Sequence, residues 1–358
     1  MIVDPDQIDR ILIRANNWIG DVVMISPALR ALRETFPSAR IDALIRPHVV
    51  ECFTHHPSVD DVIVEEPARS HTPAGLRRLA ARLKGRRYDL AVLFQKAIGA
   101  ALLAWLARIP RRIGYDTDRR GFLLTHPIHE TPALRRIHHV EYFLTIARAA
   151  GCRIGPIPRR VYFPVDDESR AFARSFLAAR EAERYPLLAA FAVGASKPQR
   201  AWHADRFAAL ARRLVRERSA GILVVGGERD RDDAGRVLAA AGKHGLDAVG
   251  CTTVRQMAAL LERCGVFVGN DSGPMHVAAA LSVPILAMFG PGSPAKTAPY
   301  MPAERFVALS EQFHCSPCRQ DFFRECSPAP SLKPMCLEAL TLERASRALS
   351  ALLDRSTG

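Results

Sequence analysis

Short apolar runs and longer amphipathic stretches alternate along this chain. In the first half they predict strands at 10–14, 41–44, 61–64, 89–94 and 112–115, and helices at 22–35, 74–83, 98–107 and 138–150. In the second half they predict strands at 187–193, 221–225, 266–268, 285–289 and 306–309, and helices at 205–218, 232–241 and 254–263. This alternation is typical of an α/β protein whose parallel sheets carry helices on both faces.

A Pro-rich segment at 155–164 interrupts the alternation and is the best candidate for a linker. With 358 residues, of which 48% are hydrophobic, the chain exceeds the size at which one core usually divides into two. We therefore expect a Rossmann-like domain at 1–165 and a second one at 166–340. In such sheets ligands bind beside the carboxyl ends of the strands.

The stretch Gly265-Val-Phe-Val-Gly-Asn-Asp-Ser-Gly-Pro-Met-His276 joins a buried strand to a helix through a short polar turn. Such a turn leaves backbone N–H groups of the helix N-terminus without partners, which is a site for phosphate or pyrophosphate. His276, one turn inside the helix, is expected to point toward the same site. The alternative is that Asp271 and Ser272 only cap the helix.

Polar residues also follow other predicted strands, at the edge where ligands bind. In the loop 194–200, Lys197 and Arg200 could neutralise a phosphate, and Glu228 could accept hydrogen bonds from ribose hydroxyls. Asp21 follows the first strand and could act either as a helix cap or as a base. Solvent exposure alone would also explain Lys197, Arg200 and Glu228.

Several classes of protein are disfavoured by what the chain lacks. Neither Gly-x-Gly-x-x-Gly nor Gly-x-x-x-x-Gly-Lys-Ser/Thr stands at a strand-to-helix turn, which counts against a dinucleotide dehydrogenase and a P-loop enzyme. No apolar run approaches the 18 or more residues of a membrane span, and the first residues do not read as a signal peptide. We therefore expect a cytoplasmic protein.

The net charge of +13 suits nucleic acid, anionic lipid or an acidic substrate. Residues 1–165 contain 25 Lys and Arg against 16 Asp and Glu, a net charge of +9, so the basic excess is concentrated there, in pairs such as Arg119 and Arg120. Aromatic residues make up only 7% and no recognition motif is present, which argues against nucleic acid. A solvated, Arg-rich surface is the alternative explanation.

Four of the eight cysteines, Cys315, Cys318, Cys326 and Cys336, fall within 22 residues. The first two have the Cys-x-x-Cys spacing of a zinc or iron site, and disulfides are rare in the cytoplasm. The remaining spacings match no zinc-finger pattern closely. Free thiols that pack in the segment, or disulfides formed on purification, remain alternatives to a structural zinc or iron.

Motifs at 18–33, 194–202, 226–228, 269–276 and 289–294, with the cysteine-rich stretch after His314, resemble glycosyltransferase family 9 nearly from end to end. These are the ADP-heptose:lipopolysaccharide heptosyltransferases, and the resemblance is greatest to the heptosyltransferase II type. It implies a GT-B fold, in which two Rossmann-like domains face each other across a cleft. The first domain would bind the acceptor and the second the nucleotide sugar, and a helix in 341–358 would cross back to the first.

The resemblance also implies roles for individual residues. Asp21 matches the catalytic carboxylate, and Glu228 matches the ribose contact. The donor-binding residues that we expect are Gly194, Ser196, Lys197, Arg200, Glu228, Asp271, Ser272, Gly273 and His276. At Arg200 the family commonly has Lys, so a planar guanidinium replaces a compact ammonium group at this position.

The expected activity is transfer of a heptose from ADP-heptose to the inner core of lipopolysaccharide, with inversion and without a metal. The basic first half would hold the phosphorylated acceptor and contact the anionic inner leaflet of the inner membrane. A protein hydroxyl as the acceptor is the alternative within the family. The alternative to an enzyme is a protein of the same fold that binds a nucleotide sugar without catalysing transfer.

Overall fold

The computed structural model describes residues 4–66, 72–155, 160–316, 318 and 320–356. The chain divides into two compact units, Met1–Pro164 and Val165–Gly358. This division falls one residue before the predicted one. Of the predicted linker, 156–159 lie outside the described residues, while 160–164 belong to the first unit.

The first unit, as far as it is described, contains a six-stranded parallel sheet in the order β3-β2-β1-β4-β5-β6. Its strands are β1 (Arg10–Arg14), β2 (Arg40–Ile45), β3 (Asp61–Val64), β4 (Leu90–Leu93), β5 (Arg111–Tyr115) and β6 (His126–Ile128). Its helices are α1 (Ile19–Thr35), α2 (Pro73–Gly85), α3 (Ile98–Leu106) and α4 (His139–Ala149). The central strands are apolar at successive positions because helices cover both faces of the sheet.

The second unit has a sheet of the same kind, with six strands in its described part in the order β12-β11-β10-β7-β8-β9. Its strands are β7 (Leu188–Ala192), β8 (Gly221–Val224), β9 (Gly245–Asp247), β10 (Val266–Asn270), β11 (Ile285–Phe289) and β12 (Phe306–Ser310). Its helices are α5 (Asp167–Ala178), α6 (Ala204–Arg218), α7 (Arg231–Ala241), α8 (Val254–Leu261), α9 (Gly273–Ala280), α10 (Pro294–Thr297), α11 (Met335–Glu338) and α12 (Leu342–Ser356).

Within each unit the first strand lies beside the fourth, so the order in which the chain adds strands to the sheet reverses there. That reversal opens a crevice at the carboxyl ends of the two strands, where Rossmann-like folds bind ligands.

The sequence pattern missed two strands and three helices, including the four-residue helices α10 and α11, and misplaced the start of one helix. Strands β6 and β9 were not predicted because each has three residues and only one of those six is fully buried. Helix α5 also went unpredicted, although Asp166 caps it by accepting a hydrogen bond from Ser169 N–H. Helix α1 begins at Ile19, so Asp21 lies in its first turn and not in the preceding loop. A carboxylate is favourable there because it faces the positive end of the helix dipole.

The last helix, α12, packs within the second unit. Ala345, Leu349, Leu352 and Leu353 are buried in the same hydrophobic core as β7, β8 and β10. The indole N–H of Trp202 donates to the carbonyl of Leu340 at 2.8 Å and so fixes the chain just before α12. The crossing of 341–358 to the first unit stays a prediction. Among the residues that the structure describes, no helix combines the length and apolar character of a membrane span.

The buried imidazole of His56 makes the stability of the first unit depend on pH. It is 5% exposed, its Nδ1 accepts a hydrogen bond from Ser58 N–H, and the ring of Tyr162 stands edge-on at 5.1 Å. Burial lowers the pKa of His56 to about 4. The unfolded chain takes up a proton below about pH 6.5 while the folded chain stays neutral, so stability falls as the pH drops from about 6.5 to 4.

We expect His56 to remove about 2 kcal/mol of unfolding free energy between pH 7.5 and pH 5.0. Urea unfolding of the wild type and of His56→Asn at both pH values checks this, since the variant should lose that much less on acidification. An equal loss in the two proteins would show that other groups carry the pH dependence.

Candidate active site

The polar turn between β10 and α9 has the geometry of an anion site. Ser272 is the N-cap residue, in extended conformation, but its side chain makes no capping hydrogen bond. Its Oγ is buried and has no partner among the described residues. Helix geometry leaves the N–H groups of Gly273 and Met275 without intrahelical partners, while Pro274 has none to offer. The capping explanation therefore fails for Ser272, whose hydroxyl remains available to a ligand.

Arg200 and Asp271 meet across the crevice of the second sheet. Arg200 stands in the loop after β7, and its Nη2 donates to Asp271 Oδ2 at 2.6 Å and to the Asp271 carbonyl at 3.1 Å. The two side chains are 22% and 7% exposed. Both of these hydrogen bonds use one nitrogen of a guanidinium that carries five N–H donors. The pair can therefore hold its geometry while Arg200 also contacts an anion.

Asn270, which the sequence analysis did not single out, holds the loops of this crevice together. It is fully buried, its Nδ2 donates to the carbonyls of Val193 and Gly194 at 2.7 and 3.2 Å, and its Oδ1 accepts from Trp202 N–H at 2.8 Å. One side chain at the end of β10 thus fixes the loop that carries Arg200. A buried amide that satisfies backbone groups gives no signal in a sequence.

Two glycines leave room for carboxylates in the same crevice. A Cβ on Gly194 would lie 2.1 Å from Asp230 Oδ1, and a Cβ on Gly292 would lie 2.3 Å from Asp271 Oδ2. Asp230 in turn accepts from Gly227 N–H at 2.9 Å. Gly194 is therefore required by packing, and we assign no ligand contact to it from geometry.

The other predicted donor residues have differing surroundings. Ser196 and Lys197 are exposed in the loop after β7, and the Lys197 ammonium stands 5.3 Å from the centre of the Phe322 ring. Glu228 is exposed after β8, where a hydrogen bond from Arg231 lowers its pKa. His276 is only 4% exposed inside α9, so its ring belongs largely to the interior.

In the first unit, Asp21 stands beside a histidine that the sequence analysis missed. Asp21 is 24% exposed, and Nδ1 of His139, the first residue of α4, lies 3.8 Å from its Oδ1. The side-chain oxygens of Asn16 and Asn17, in the loop before α1, are buried without partners among the described residues. His139 is 118 positions away along the chain, so no local motif could pair it with Asp21.

A charged cluster lies after β4 and β6, at the same edge of the first sheet. Glu130 accepts hydrogen bonds from Lys96, Arg135 and Tyr142 at 2.7, 2.7 and 2.5 Å. Burial opposes its charge, but these three donors lower the pKa of Glu130 to about 2. Lys96 and Arg135 keep half or more of their side-chain surface exposed, so this edge presents positive charge.

Of the basic pair Arg119 and Arg120, the second is structural. Arg119 is exposed, whereas Arg120 is fully buried and donates to the carbonyls of Tyr115, Gln95 and Ala97. The prediction that both bind the acceptor is wrong for Arg120, because its guanidinium is buried inside the unit and donates from Nε and Nη1 to backbone carbonyls.

The structure does not support the predicted metal at the four cysteines. Cys315, Cys318, Cys326 and Cys336 are partly exposed free thiols. No group of three or more His, Cys, Asp or Glu side chains within the described ranges is arranged to hold a metal ion. Burial, followed by the neighbouring thiols, raises the pKa of Cys336 to about 11.

Comparison with known proteins extends over almost the whole chain. Lipopolysaccharide heptosyltransferase 2 of Salmonella typhimurium is 28% identical over 320 residues, which cover 85% of this chain and 89% of that protein. The structure of ADP-heptose lipopolysaccharide heptosyltransferase II from E. coli aligns with a TM-score of 0.79 at 24% identity, over 98% of this chain and 100% of that one. A glycosyltransferase family 9 structure from Veillonella parvula aligns with a TM-score of 0.84 at 22% identity, over 99% and 98% of the two chains.

These structural likenesses show a GT-B type of fold built from two Rossmann-like units. The family model described as glycosyltransferase family 9 (heptosyltransferase) matches residues 76–326, which is more than half of the chain. The protein therefore belongs to glycosyltransferase family 9.

Proposed function

We propose that this glycosyltransferase moves a heptosyl group from ADP-heptose to the inner core of lipopolysaccharide, with inversion. The observation that carries the proposal is the Arg200–Asp271 pair beside the N-terminus of α9. It provides positive charge and N–H donors at the point where a Rossmann-like sheet binds ligands. The relatives of the chain include proteins named lipopolysaccharide heptosyltransferase, which indicates the sugar and the acceptor.

The pyrophosphate of the donor is assigned to the second unit. Arg200 contributes a guanidinium, and Ser272, Gly273 and the first turn of α9 contribute a hydroxyl and N–H groups. Their partial and full positive charges stabilise the negative charge that grows on ADP as it leaves. Lys197, exposed in the same loop, is a second cation for the phosphates.

The ribose of the donor is assigned to Glu228. This carboxylate follows β8, which neighbours β7, and it is 72% exposed. Arg231, at 3.0 Å, keeps it ionised and limits its rotamers. An ionised, exposed carboxylate at a strand end can accept hydrogen bonds from both ribose hydroxyls.

The chemical step is a single displacement at the anomeric carbon. The acceptor hydroxyl oxygen bonds to that carbon, the bond from the carbon to the pyrophosphate oxygen breaks, and the electron pair leaves with ADP. Asp21 takes the hydroxyl proton as general base. Its place in the first turn of α1 keeps the carboxylate partly exposed, as contact with an acceptor requires.

The phosphorylated acceptor is assigned to the first unit. Residues 1–165 carry a net charge of +9, and Lys96 and Arg135 are exposed at the same edge of the sheet as the loop before α1. Basic surface of this kind also attracts the anionic inner leaflet, on whose cytoplasmic side the protein would act.

A transfer assay tests the proposal directly. Purified protein is mixed with ADP-heptose and with lipopolysaccharide from strains whose cores carry no heptose or one heptose, and ADP release and the mass of the glycolipid are followed. We expect ADP release that requires the acceptor and a mass gain of one heptosyl group. Transfer to a protein hydroxyl instead would assign the other acceptor class, and binding of ADP-heptose without transfer to either would indicate a binding protein.

Removing the charge of Arg200 should weaken donor binding. We expect Arg200→Met to raise the KM for ADP-heptose by about 10- to 100-fold, since a hydrogen bond to a charged group contributes about 1.5–3 kcal/mol. The KM of Arg200→Lys should lie between those of the wild type and Arg200→Met, because lysine keeps the positive charge but lacks the planar guanidinium that can form two parallel hydrogen bonds. Steady-state kinetics and calorimetry with ADP measure both effects.

The matched control is Arg236→Met. Arg236 is an exposed arginine of the same unit, paired with Asp205 at 2.9 Å, and its loss should leave donor binding unchanged. A wild-type KM for ADP-heptose in Arg200→Met would remove Arg200 from the donor site.

A further inference from the structure

A histidine and the proposed base face each other across two packed helices of the first unit. His139 begins α4, Asp21 lies in the first turn of α1, and the two helices pack along each other. Nδ1 of His139 and Oδ1 of Asp21 are 3.8 Å apart. Because both residues belong to helices and not to loops, this separation is set by the packing of the unit.

The ring nitrogen that faces Asp21 is buried and has no hydrogen-bond partner among the described residues. A separation of 3.8 Å is too long for a hydrogen bond. A buried polar atom without a partner costs about 1–3 kcal/mol. If the two side chains approached each other by less than about 1 Å, one proton placed between Nδ1 and Oδ1 would convert this contact into a charge-assisted hydrogen bond.

We propose that His139 is a positioning residue that acts through Asp21 and takes over the proton removed from the acceptor. The hydroxyl proton passes to Oδ of Asp21, and then to Nδ1 of His139, which leaves a carboxylate and an imidazolium as an ion pair. The imidazolium gives the proton to water as the products leave, and the base is restored. This inference rests on the proposed transfer reaction and adds to it the destination of the proton.

The groups around His139 are consistent with this role. On its own helix the rings of Tyr142 and Phe143 lie at 6.4 and 6.1 Å, which closes the site on one side with aromatic surface. Tyr142 stacks on Tyr115 of β5, and its hydroxyl donates to Glu130, which also binds Lys96 and Arg135. Glu141 of the same helix lies near Arg148 at 3.7 Å. Asp21 is the carboxylate that α1 presents to the ring.

The test is the pH dependence of kcat in His139→Gln, which keeps a polar side chain and cannot take up a proton. An imidazole ordinarily protonates near pH 6.5 and a carboxyl near pH 4. We expect wild-type kcat to fall as the pH is lowered, because a ring that is already protonated cannot accept another proton. In His139→Gln we expect kcat about 10-fold lower at pH 8, an acid limb moved to lower pH, and an unchanged KM for ADP-heptose.

The matched control is His129→Gln. His129 is an exposed histidine of the same unit that pairs with Asp116 at 2.9 Å, and its loss should leave the acid limb in place. If His139→Gln keeps the wild-type acid limb, the proposal is overturned, whether or not its kcat or melting temperature falls. His139→Asn, with a shorter side chain, repeats the measurement should the first variant fold poorly.

A second measurement needs no substrate. The ring nitrogen NMR signals of His139 should change in Asp21→Asn and stay unchanged in Asp167→Asn, and unaffected signals in both would contradict the coupling. Failure of the proposed function is distinguishable, because a wild type that transfers no heptose would leave this spectroscopic result intact.

Discussion

Replacing Asp21 with Asn is expected to reduce heptosyl transfer by about 10²–10⁴-fold, since this is the usual contribution of a general base. The amide has nearly the same shape and cannot accept the hydroxyl proton. Binding of ADP-heptose should persist, because the donor residues belong to the second unit. Calorimetry with ADP-heptose and a transfer assay on the same sample measure the two quantities separately.

Asp167→Asn is the control for this variant. Asp167 also lies in the first turn of a helix and is fully exposed, so its loss removes the same favourable helix-dipole contact without touching the site. Transfer by Asp21→Asn at more than about a tenth of the wild-type rate would be too fast for loss of the general base.

Reversing the charge of Arg120 is expected to destabilise the first unit by more than about 4 kcal/mol. Arg120 is fully buried, and burial lowers its pKa to about 10. It donates to the carbonyls of Tyr115 at 2.8 Å, Gln95 at 2.5 Å and Ala97 at 3.2 Å. A glutamate would face those carbonyl oxygens with a buried negative charge and no donor. Urea unfolding of Arg120→Glu, or loss of soluble protein, measures the effect.

The adjacent Arg119→Glu provides the comparison. Arg119 is exposed, so the same reversal should change stability by less than about 0.5 kcal/mol. It also tests the acceptor surface alone, because a raised KM for the acceptor with a weaker salt dependence is expected if Arg119 binds phosphates. Similar destabilisation by both reversals would contradict the assignment of Arg120 as structural.

Most of the fold could be predicted from the chain because buried parallel strands leave a plain pattern. Ile11, Leu12 and Ile13 of β1, and Val266 to Val268 of β10, are buried on both faces and read as apolar runs. Strands β6 and β9 were missed for the opposite reason. Each is short and lies at the edge of its sheet, so few of its side chains are buried and its sequence need not be apolar.

The candidate site was predictable in part. Asp21, Arg200, Asp271 and Ser272 could be named as candidates because they follow strands at the binding edge, which the local sequence shows. Arg120 was misread because a pair of arginines looks the same whether it is solvated or turned inward. The metal prediction for the cysteines stays without support, because the Cys-x-x-Cys spacing alone does not determine whether Cys326 and Cys336 complete a metal-binding arrangement.

Local pattern was thus sufficient for two α/β units and for the turns that end their strands, since burial and helix periodicity are visible in neighbouring residues. Packing alone settled which distant residues meet. Arg200 reaches Asp271 because β7 and β10 are adjacent in the sheet, and His139 reaches Asp21 because α4 lies along α1. These contacts depend on strand order and helix packing, which connect residues 71 and 118 positions apart and which no short stretch of sequence encodes.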